Sequence, residues 1–293
     1  MNSGGGMRSS QALLHNSDLS APARDKTATC EKSNLYILEQ GHVFASSSIE
    51  ITNRTRIYAS INLTVDHSRI HLRVGNRAGR YQAAALGPGP TRTLKARGQP
   101  VLCFQILPLH PLFPHFSLIG AAVGVIALPR EAFAHLDAAL EAAFVGTLDV
   151  EDVAELHDAV TQTATRFLPA AKPIDPRVRT ILQRLDDTDT PSLQDLSKAM
   201  GLSYSRMSHL FGESMGLSLR SYCLWNKLQK VRRIFDPEKS LTAIAQEAGF
   251  CDSAHFTKAH QDMYGASPSY FLRNNAIRLL ASRRVRACPE EKT

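Results

Sequence analysis

Through the first half of the chain, apolar residues come in short bursts separated by turn formers. Leu35 to Leu38, Ile57 to Val65, Ile70 to Val74 and Val101 to Leu107 are four such bursts, with Gly75-Asn76 and Gly87-Pro88-Gly89-Pro90 between them. Short apolar runs bounded by Gly, Pro and Asn predict strands, and several in succession predict a small β-barrel or sandwich. The period then changes. Phe133, Leu136, Leu140 and Phe144 recur at steps of three and four, as do Val153, Leu156, Val160, Ala164 and Phe167, which predicts two amphipathic helices. Gly146 to Asp149 forms the turn between them, with Asp149 placed to cap the second helix and Asp152 in its first turn. Two apolar stripes exceed what one barrel face needs to cover. Phe133, Leu136, Leu140, Val153, Leu156 and Val160 are therefore expected to join two copies of the chain as a homodimer.

Three prolines within Pro169 to Pro176 exclude a helix or central strand there and mark a linker. The residues before Asn34 are rich in Gly, Ser, Ala and Thr without a compact apolar stretch, the composition of a disordered lead-in rather than a signal peptide. The chain thus divides into a lead-in (1–33), a β-rich domain with a helix pair (34–168), a linker (169–176) and a last domain (177–293). The longest nearly apolar stretch, Phe116 to Leu128, is too short and too interrupted by Gly to span a bilayer. No membrane association and a cytoplasmic location are expected.

The last domain contains a repeat. Leu193, Leu196, Met200, Gly201 and Leu202 return as Leu241, Ile244, Ala248, Gly249 and Phe250, an offset of 48 residues. Met207, Met215, Gly216 and Ser218 return as Phe256, Tyr264, Gly265 and Ser267 at an offset of 49, so the second copy holds one extra residue. Each copy has the features of a helix-turn-helix: a short amphipathic helix, a Gly where the backbone must turn left-handed, and a second helix with a capping residue. Ser192 and Ser240 are the caps expected for the first helices, Ser203 and Asp252 for the second. Between the copies, Leu219, Tyr222, Trp225, Leu228, Val231 and Ile234 predict one long helix ending at Asp236-Pro237.

Charge agrees with this division. Of a net charge of +7, the stretch from Lys172 to Thr293 carries 19 Lys and Arg against 13 Asp and Glu, a surplus of six. A basic surplus of this size suits a polyanion, and also an ordinary solvated surface. The five cysteines, Cys30, Cys103, Cys223, Cys251 and Cys288, are odd in number and never in a C-x-x-C arrangement, which speaks against a disulfide framework or zinc site.

The stretch from Ser240 to Lys258, SLTAIAQEAGFCDSAHFTK, followed by Tyr264-Gly-Ala-Ser-Pro-Ser-Tyr-Phe271, resembles the AraC/XylS family of bacterial transcription regulators over about Asp175 to Arg273. The resemblance implies an α+β protein: an N-terminal, cupin-like β-barrel with a helix pair, then an all-α C-terminal domain with two helix-turn-helix units. Ala85 to Pro90 and the order of elements before the linker add to it. It implies sequence-specific binding to double-stranded promoter DNA, activation of transcription, a homodimer, contact with RNA polymerase, and a small-molecule effector at the N-terminal domain. No cofactor, metal or enzymatic activity is expected. The DNA-facing residues it assigns are Ser203, Tyr204, Ser205, Arg206, Ser208 and His209 in the first unit, and Asp252, Ser253, Ala254, His255 and Lys258 in the second, with Lys227 on the linking helix.

The chain departs from the family at Lys258, where members carry Arg, at His260, where they carry a core Phe, and at Lys227 and Val231, where they carry Arg and a small Ala. Lysine keeps a charge for phosphate but lacks the planar fork that reads guanine, so the first unit is expected to specify more. His260 is expected in the core as a neutral, hydrogen-bonded ring; a pH-switch or ligand role is the alternative. His255 could instead cap or orient its own helix.

Other chemistry is sparse. His67 and His71 lie four apart on a stretch, Val65 to Val74, that reads as strand, where no third ligand stands at metal spacing. Arg54, Arg56, Arg69 and Arg73 form either an anion-facing patch or a solvated strand face. No Ser-His-Asp order, nucleotide-binding Gly motif or paired carboxylates stand out. The alternatives are a DNA-targeted enzyme of the methyl-transfer repair type, which needs an activated thiolate, and a regulator whose N-terminal domain is a protein-interaction platform.

Overall fold

The computed structural model describes residues 33–53, 57–89, 91–122, 124–171, 173–186, 192–234, 239–264, 267–268 and 277–281. The expected lead-in before Ser33, and Cys30, Arg54, Arg56, Pro90, Gly265, Phe271, Arg273 and Cys288, lie outside the described residues.

The strands are β1 (Ser33–Ile37), β2 (Gly41–Ser46), β3 (Ile49–Asn53), β4 (Ala59–Thr64), β5 (Ile70–Val74), β6 (Arg77–Tyr81), β7 (Ala83–Leu86), β8 (Arg92–Ala96), β9 (Val101–Ile106), β10 (Val125–Ala127) and β11 (Ile277–Ala281). They form a large sheet, β10-β7-β4-β9-β2-β1-β11, and a small one, β3-β8-β5-β6. The expected barrel is not closed. One edge of the large sheet is the three-residue β10, and the other is β11, which runs parallel to β1 with Ser33 opposite Ile277. The edge that closure would require is taken by the chain's own late strand. The last domain is accordingly not purely helical, since β11 completes the first domain's sheet. The run from Val65 to Val74 is not one strand either: β4 stops at Thr64, His67 adopts a left-handed φ of 57°, and Asp66 accepts from Ser68 N–H in the turn before β5. His67 and His71 therefore share no strand.

Residue alternation gives the large sheet two buried faces. Ile61 and Leu63 of β4, and Leu102, Phe104 and Ile106 of β9, join the core that carries the helices; Val101 and Cys103 join a second core against the small sheet. Over the first face lie α1 (Phe113–Ala122), a 3-10 segment (Arg130–Leu136), α2 (Asp137–Val145) and α3 (Val150–Thr165). Asp149 caps α3 by accepting from Asp152 N–H at 2.8 Å, as its position predicts. Tyr36 Oη donates to Ala143 O at 2.8 Å, tying β1 to α2.

The helix pair is consumed by this packing. Phe133, Leu140, Val153, Leu156 and Val160 are all buried within the single chain, and Leu136 is half-buried against the same core. The expectation that they form a free stripe is corrected: a sheet buried on its helix side needs both stripes for itself.

One polar cluster joins sheet, loop and helix. His157 Nε2 lies 3.0 Å from Gln105 O, and His110 Nε2 lies 3.4 Å from Asp158 Oδ1, with the two rings 5.6 Å apart. The three side chains bring their ligand atoms within 4.8 Å of one another, an assembly that sequence spacing did not disclose. Leu112 N–H donates to His110 Nδ1 at 3.1 Å, which places that ring's proton on Nε2, toward the carboxylate. In that tautomer the nitrogen beside Asp158 offers no lone pair to a metal.

From Pro176 onward come α4 (Pro176–Asp186), α5 (Leu193–Ala199), α6 (Tyr204–Met215), α7 (Leu219–Ile234), α8 (Leu241–Glu247) and α9 (Ser253–Tyr264). Helix α1 packs on α6, and β3 lies beside α9, so the first domain touches both helix pairs. A Cβ on Gly216, the left-handed C-cap of α6, would stand 2.5 Å from Ser117 O; only glycine permits that approach. Among the described residues no helix is long and apolar enough to cross a membrane.

Burial, and secondarily the neighbouring His157, hold the His110 pKa below the ordinary histidine value. The unfolded chain then takes up this proton at about pH 6.5 while the folded chain resists it, so stability is lost as pH falls below that value. His110→Gln, which keeps a donor toward Asp158, is expected to flatten the loss between pH 7.5 and 5.5, measured by urea unfolding. An equally steep loss in the variant would place its origin elsewhere.

Candidate nucleic-acid interface

The two helix pairs, α5–α6 and α8–α9, are built alike. Ser192 and Ser240 cap the first helices, accepting from Asp195 N–H at 3.1 Å and Ala243 N–H at 3.2 Å. Each first helix ends on a left-handed glycine, Gly201 at φ 63° and Gly249 at φ 84°. The next amide reaches back to close the turn, Leu202 to Ser197 O at 3.0 Å and Phe250 to Ala245 O at 2.8 Å. A Cβ on Gly201 would meet nothing within 4 Å, so glycine is needed for its dihedral angle and not for space. Ser203 and Asp252 then cap the second helices, accepting from Arg206 N–H at 3.2 Å and His255 N–H at 2.6 Å. The extra residue of the second copy is Cys251, in the turn between Phe250 and the cap.

Capping fixes the direction of α6 and α9, and periodicity fixes their faces. On α6, Met207, Leu210, Phe211 and Met215 are buried, while Ser203, Tyr204, Ser205, Arg206 and His209 are exposed and Ser208 half-buried. On α9, Phe256, Ala259 and Met263 are buried, Asp252, Ala254, His255 and Lys258 exposed and Ser253 half-buried. The residues assigned to DNA are thus gathered into two outward faces. Helix α7 fixes their relation: Tyr222, Trp225, Leu228 and Val231 are buried, with Phe211, Tyr222 and Trp225 in a run of ring contacts 5.4 and 5.2 Å apart.

Besides the caps Ser203 and Asp252, three assigned residues have local partners. His209 Nδ1 lies 3.1 Å from Glu213 Oε2, one turn along the same helix, so an acid stands beside this ring. The His255 ring meets Phe250 edge-on at 5.4 Å, which orients it against its own turn. Lys227 Nζ donates to Gly249 O at 2.6 Å and lies 5.9 Å from the Phe250 ring. Its ammonium satisfies the carbonyl end of α8, so this exposed lysine ties the linking helix to the second turn. The repeat held a signal of this, since Gly249 leaves a carbonyl to be satisfied. His260 is half-buried with its ring edge-on to Phe256 at 5.9 Å.

Two further groups bear on the chemistry. Arg177, by its side chain and then its backbone, holds the Asp175 carboxyl down to about 2, with the Arg206 charge a smaller contribution. Burial pushes the Cys223 thiol up to about 11, the reverse of the activation that a methyl-transfer enzyme requires; Cys103 is buried as well.

Residues 196–274 match the family described as "Helix-turn-helix domain". The chain is 32% identical over 80 residues to the Msm operon regulatory protein of Streptococcus mutans, a stretch covering 27% of this chain and 29% of that protein. It is 29% identical over 103 residues to the arabinose operon regulatory protein of Salmonella typhimurium, covering 34% and 37%. The chain therefore spans about a third of the length of these relatives. In structure it is similar to apo ToxT from Vibrio cholerae, with a TM-score of 0.51, 10% identity, and coverage of 80% of this chain and 97% of that one; this likeness concerns the fold.

Removing the clamp is expected to loosen the second pair. Lys227→Met should lower stability by about 1 kcal/mol, and Gly249→Ala by about 1–2 kcal/mol because alanine resists the left-handed angle. Urea unfolding measures both, and unchanged midpoints would mean that the turn is held by other contacts.

Proposed function

We propose, from the premise that residues 196–274 form an AraC-type helix-turn-helix domain, that the chain is a sequence-specific regulator of transcription binding promoter DNA through α6 and α9. The observation that carries this reading is the pair of similarly capped helices, each presenting an outward polar face and held by α7. The two helices enter successive major grooves on one side of the duplex, about 34 Å apart. Serine, tyrosine and histidine on α6 give adaptable contacts, and Arg206 gives the fork that reads guanine or clamps phosphate.

The N-terminal domain receives an effector, and its contacts through α1 and β3 carry the state of that domain to the helix pairs. A homodimer in the cytoplasm, with contact to RNA polymerase, completes the reading. The dimer uses the surface left outside after the helix pair has packed, where Val145 and Phe167 are exposed.

The test compares the full chain on operator and scrambled duplexes at several salt concentrations, the operator first being found by mapping bound sites in the cell. Wild type is expected to prefer the operator and to weaken with salt. Arg206→Ala should weaken operator binding by about 1–3 kcal/mol more than scrambled binding. Lys258→Ala, which removes a point charge, should weaken both evenly. If Lys258→Ala erases discrimination and Arg206→Ala does not, α9 is the principal reader; binding that never discriminates sinks the proposal.

A further inference from the structure

Among the described residues, two arginines of the N-terminal domain are buried, and their surroundings differ. Arg130 has a counter-charge: its Nη2 lies 2.7 Å from Asp137 Oδ1, and its Nε donates to Thr64 O at 3.0 Å. Arg92, only 6% exposed, has none. Its Nη1 donates to Ser60 Oγ at 2.9 Å, and its Nη2 donates to Gly87 O at 2.7 Å and Tyr58 O at 3.3 Å. Its buried Nε has no acceptor, and among the described residues no carboxylate lies within ion-pair distance. These neutral oxygens and the Tyr58 ring, whose centroid lies 6.0 Å from the guanidinium carbon, hold the group in place but give it no counter-charge, an unfavourable condition in an apolar interior. Burial pulls its pKa down to about 10, so it stays a cation near neutral pH.

Arg92 lines a cavity of about 50 Å³ between the two sheets. Ile49, Leu72 and Leu94 of the small sheet form apolar wall, and Ser60, Asn62 and Gln105 of the large sheet are the polar groups beside the arginine. The alternation on β4 accounts for this: Ser60 and Asn62 take the face opposite Ile61 and Leu63. A fixed cation with an unused N–H, a few neutral hydrogen-bonding groups and an apolar wall are complementary to one ligand class.

We propose that this cavity binds a small organic monocarboxylate, its carboxylate accepting from Arg92 and its short carbon body lying against Ile49, Leu72 and Leu94. The inference rests on the effector reading above and gives it a site and a chemistry. It also places the ligand near the DNA-binding helices, because Arg92 is paired with Asn53 of β3, the strand beside α9.

The test titrates the full chain with sodium butyrate by calorimetry and thermal unfolding, with butyramide, sodium chloride and sodium phosphate at matched ionic strength as comparators. Butyrate is expected to bind saturably and raise the unfolding midpoint, and the comparators are not. Arg92→Gln should weaken butyrate by about tenfold or more. Leu94→Phe keeps the charge and fills the apolar end, and should also abolish binding; it decides the matter if Arg92→Gln does not fold. Butyrate acting no better than butyramide or chloride, phosphate binding equally well, or wild-type affinity in Leu94→Phe would each overturn the inference. Retardation of operator DNA in the same samples keeps the two readings apart: intact DNA binding without butyrate binding removes this site alone.

Discussion

Strands β4 and β9 are buried on both faces, and most of the architecture answers to that constraint. Every residue of Ala59–Thr64 is buried, and its helix-side face, with Ile61 and Leu63, cannot meet water without losing about 1.5–3 kcal/mol for each large apolar side chain exposed. One face takes α1, α2 and α3; the other takes the small sheet. Because the helices are recruited to cover this face, they have no apolar stripe left over. Because α1 must lie there, its far side is available to the first helix pair, which it meets where Gly216 lets Ser117 approach. The contact between domains is thus a consequence of covering the sheet.

The helix pairs answer to a different constraint, the satisfaction of backbone groups at helix ends. Helices of seven residues such as α5 and α8 leave most of their amides and carbonyls without partners inside the helix. The serine caps, the left-handed glycines and, in the second pair, the Lys227 ammonium supply them. Once ends and turns are fixed, the direction of α6 and α9 is fixed too, and their polar faces follow from the period of 3.6. Precision in the outward faces is inherited from the backbone.

Positive charge is handled in three ways. Arg130 is given a carboxylate, Lys227 a helix carbonyl end, and Arg92 only neutral oxygens and an aromatic ring beside a cavity. The first two have their counter-group within the chain, although Arg130 Nη1, like Arg92 Nε, has no hydrogen-bond partner. The third is stable only while the fold bears its electrostatic cost, the condition in which an anion from outside adds most.

By itself the sequence determined whatever depends on neighbours a few residues apart: the strands β1, β4, β5 and β9, the α3 cap, the four caps and two glycine turns of the helix pairs, and the buried and exposed faces of α6 and α9. These rest on periodicity and end effects, which are local. Tertiary structure decided what depends on which surfaces meet. A stripe of Leu and Val looks the same whether it will cover its own sheet or a second subunit, and only the two-sided sheet shows that Leu156 and Val160 are spent inside the chain. The open edge filled by β11, the meeting of His110 with His157 and Asp158, the turn of Lys227 toward Gly249, and the isolation of Arg92 all join residues remote in sequence. Their energies lie in desolvation and in contacts that exist only once the layers have packed, so no spacing along the chain could announce them.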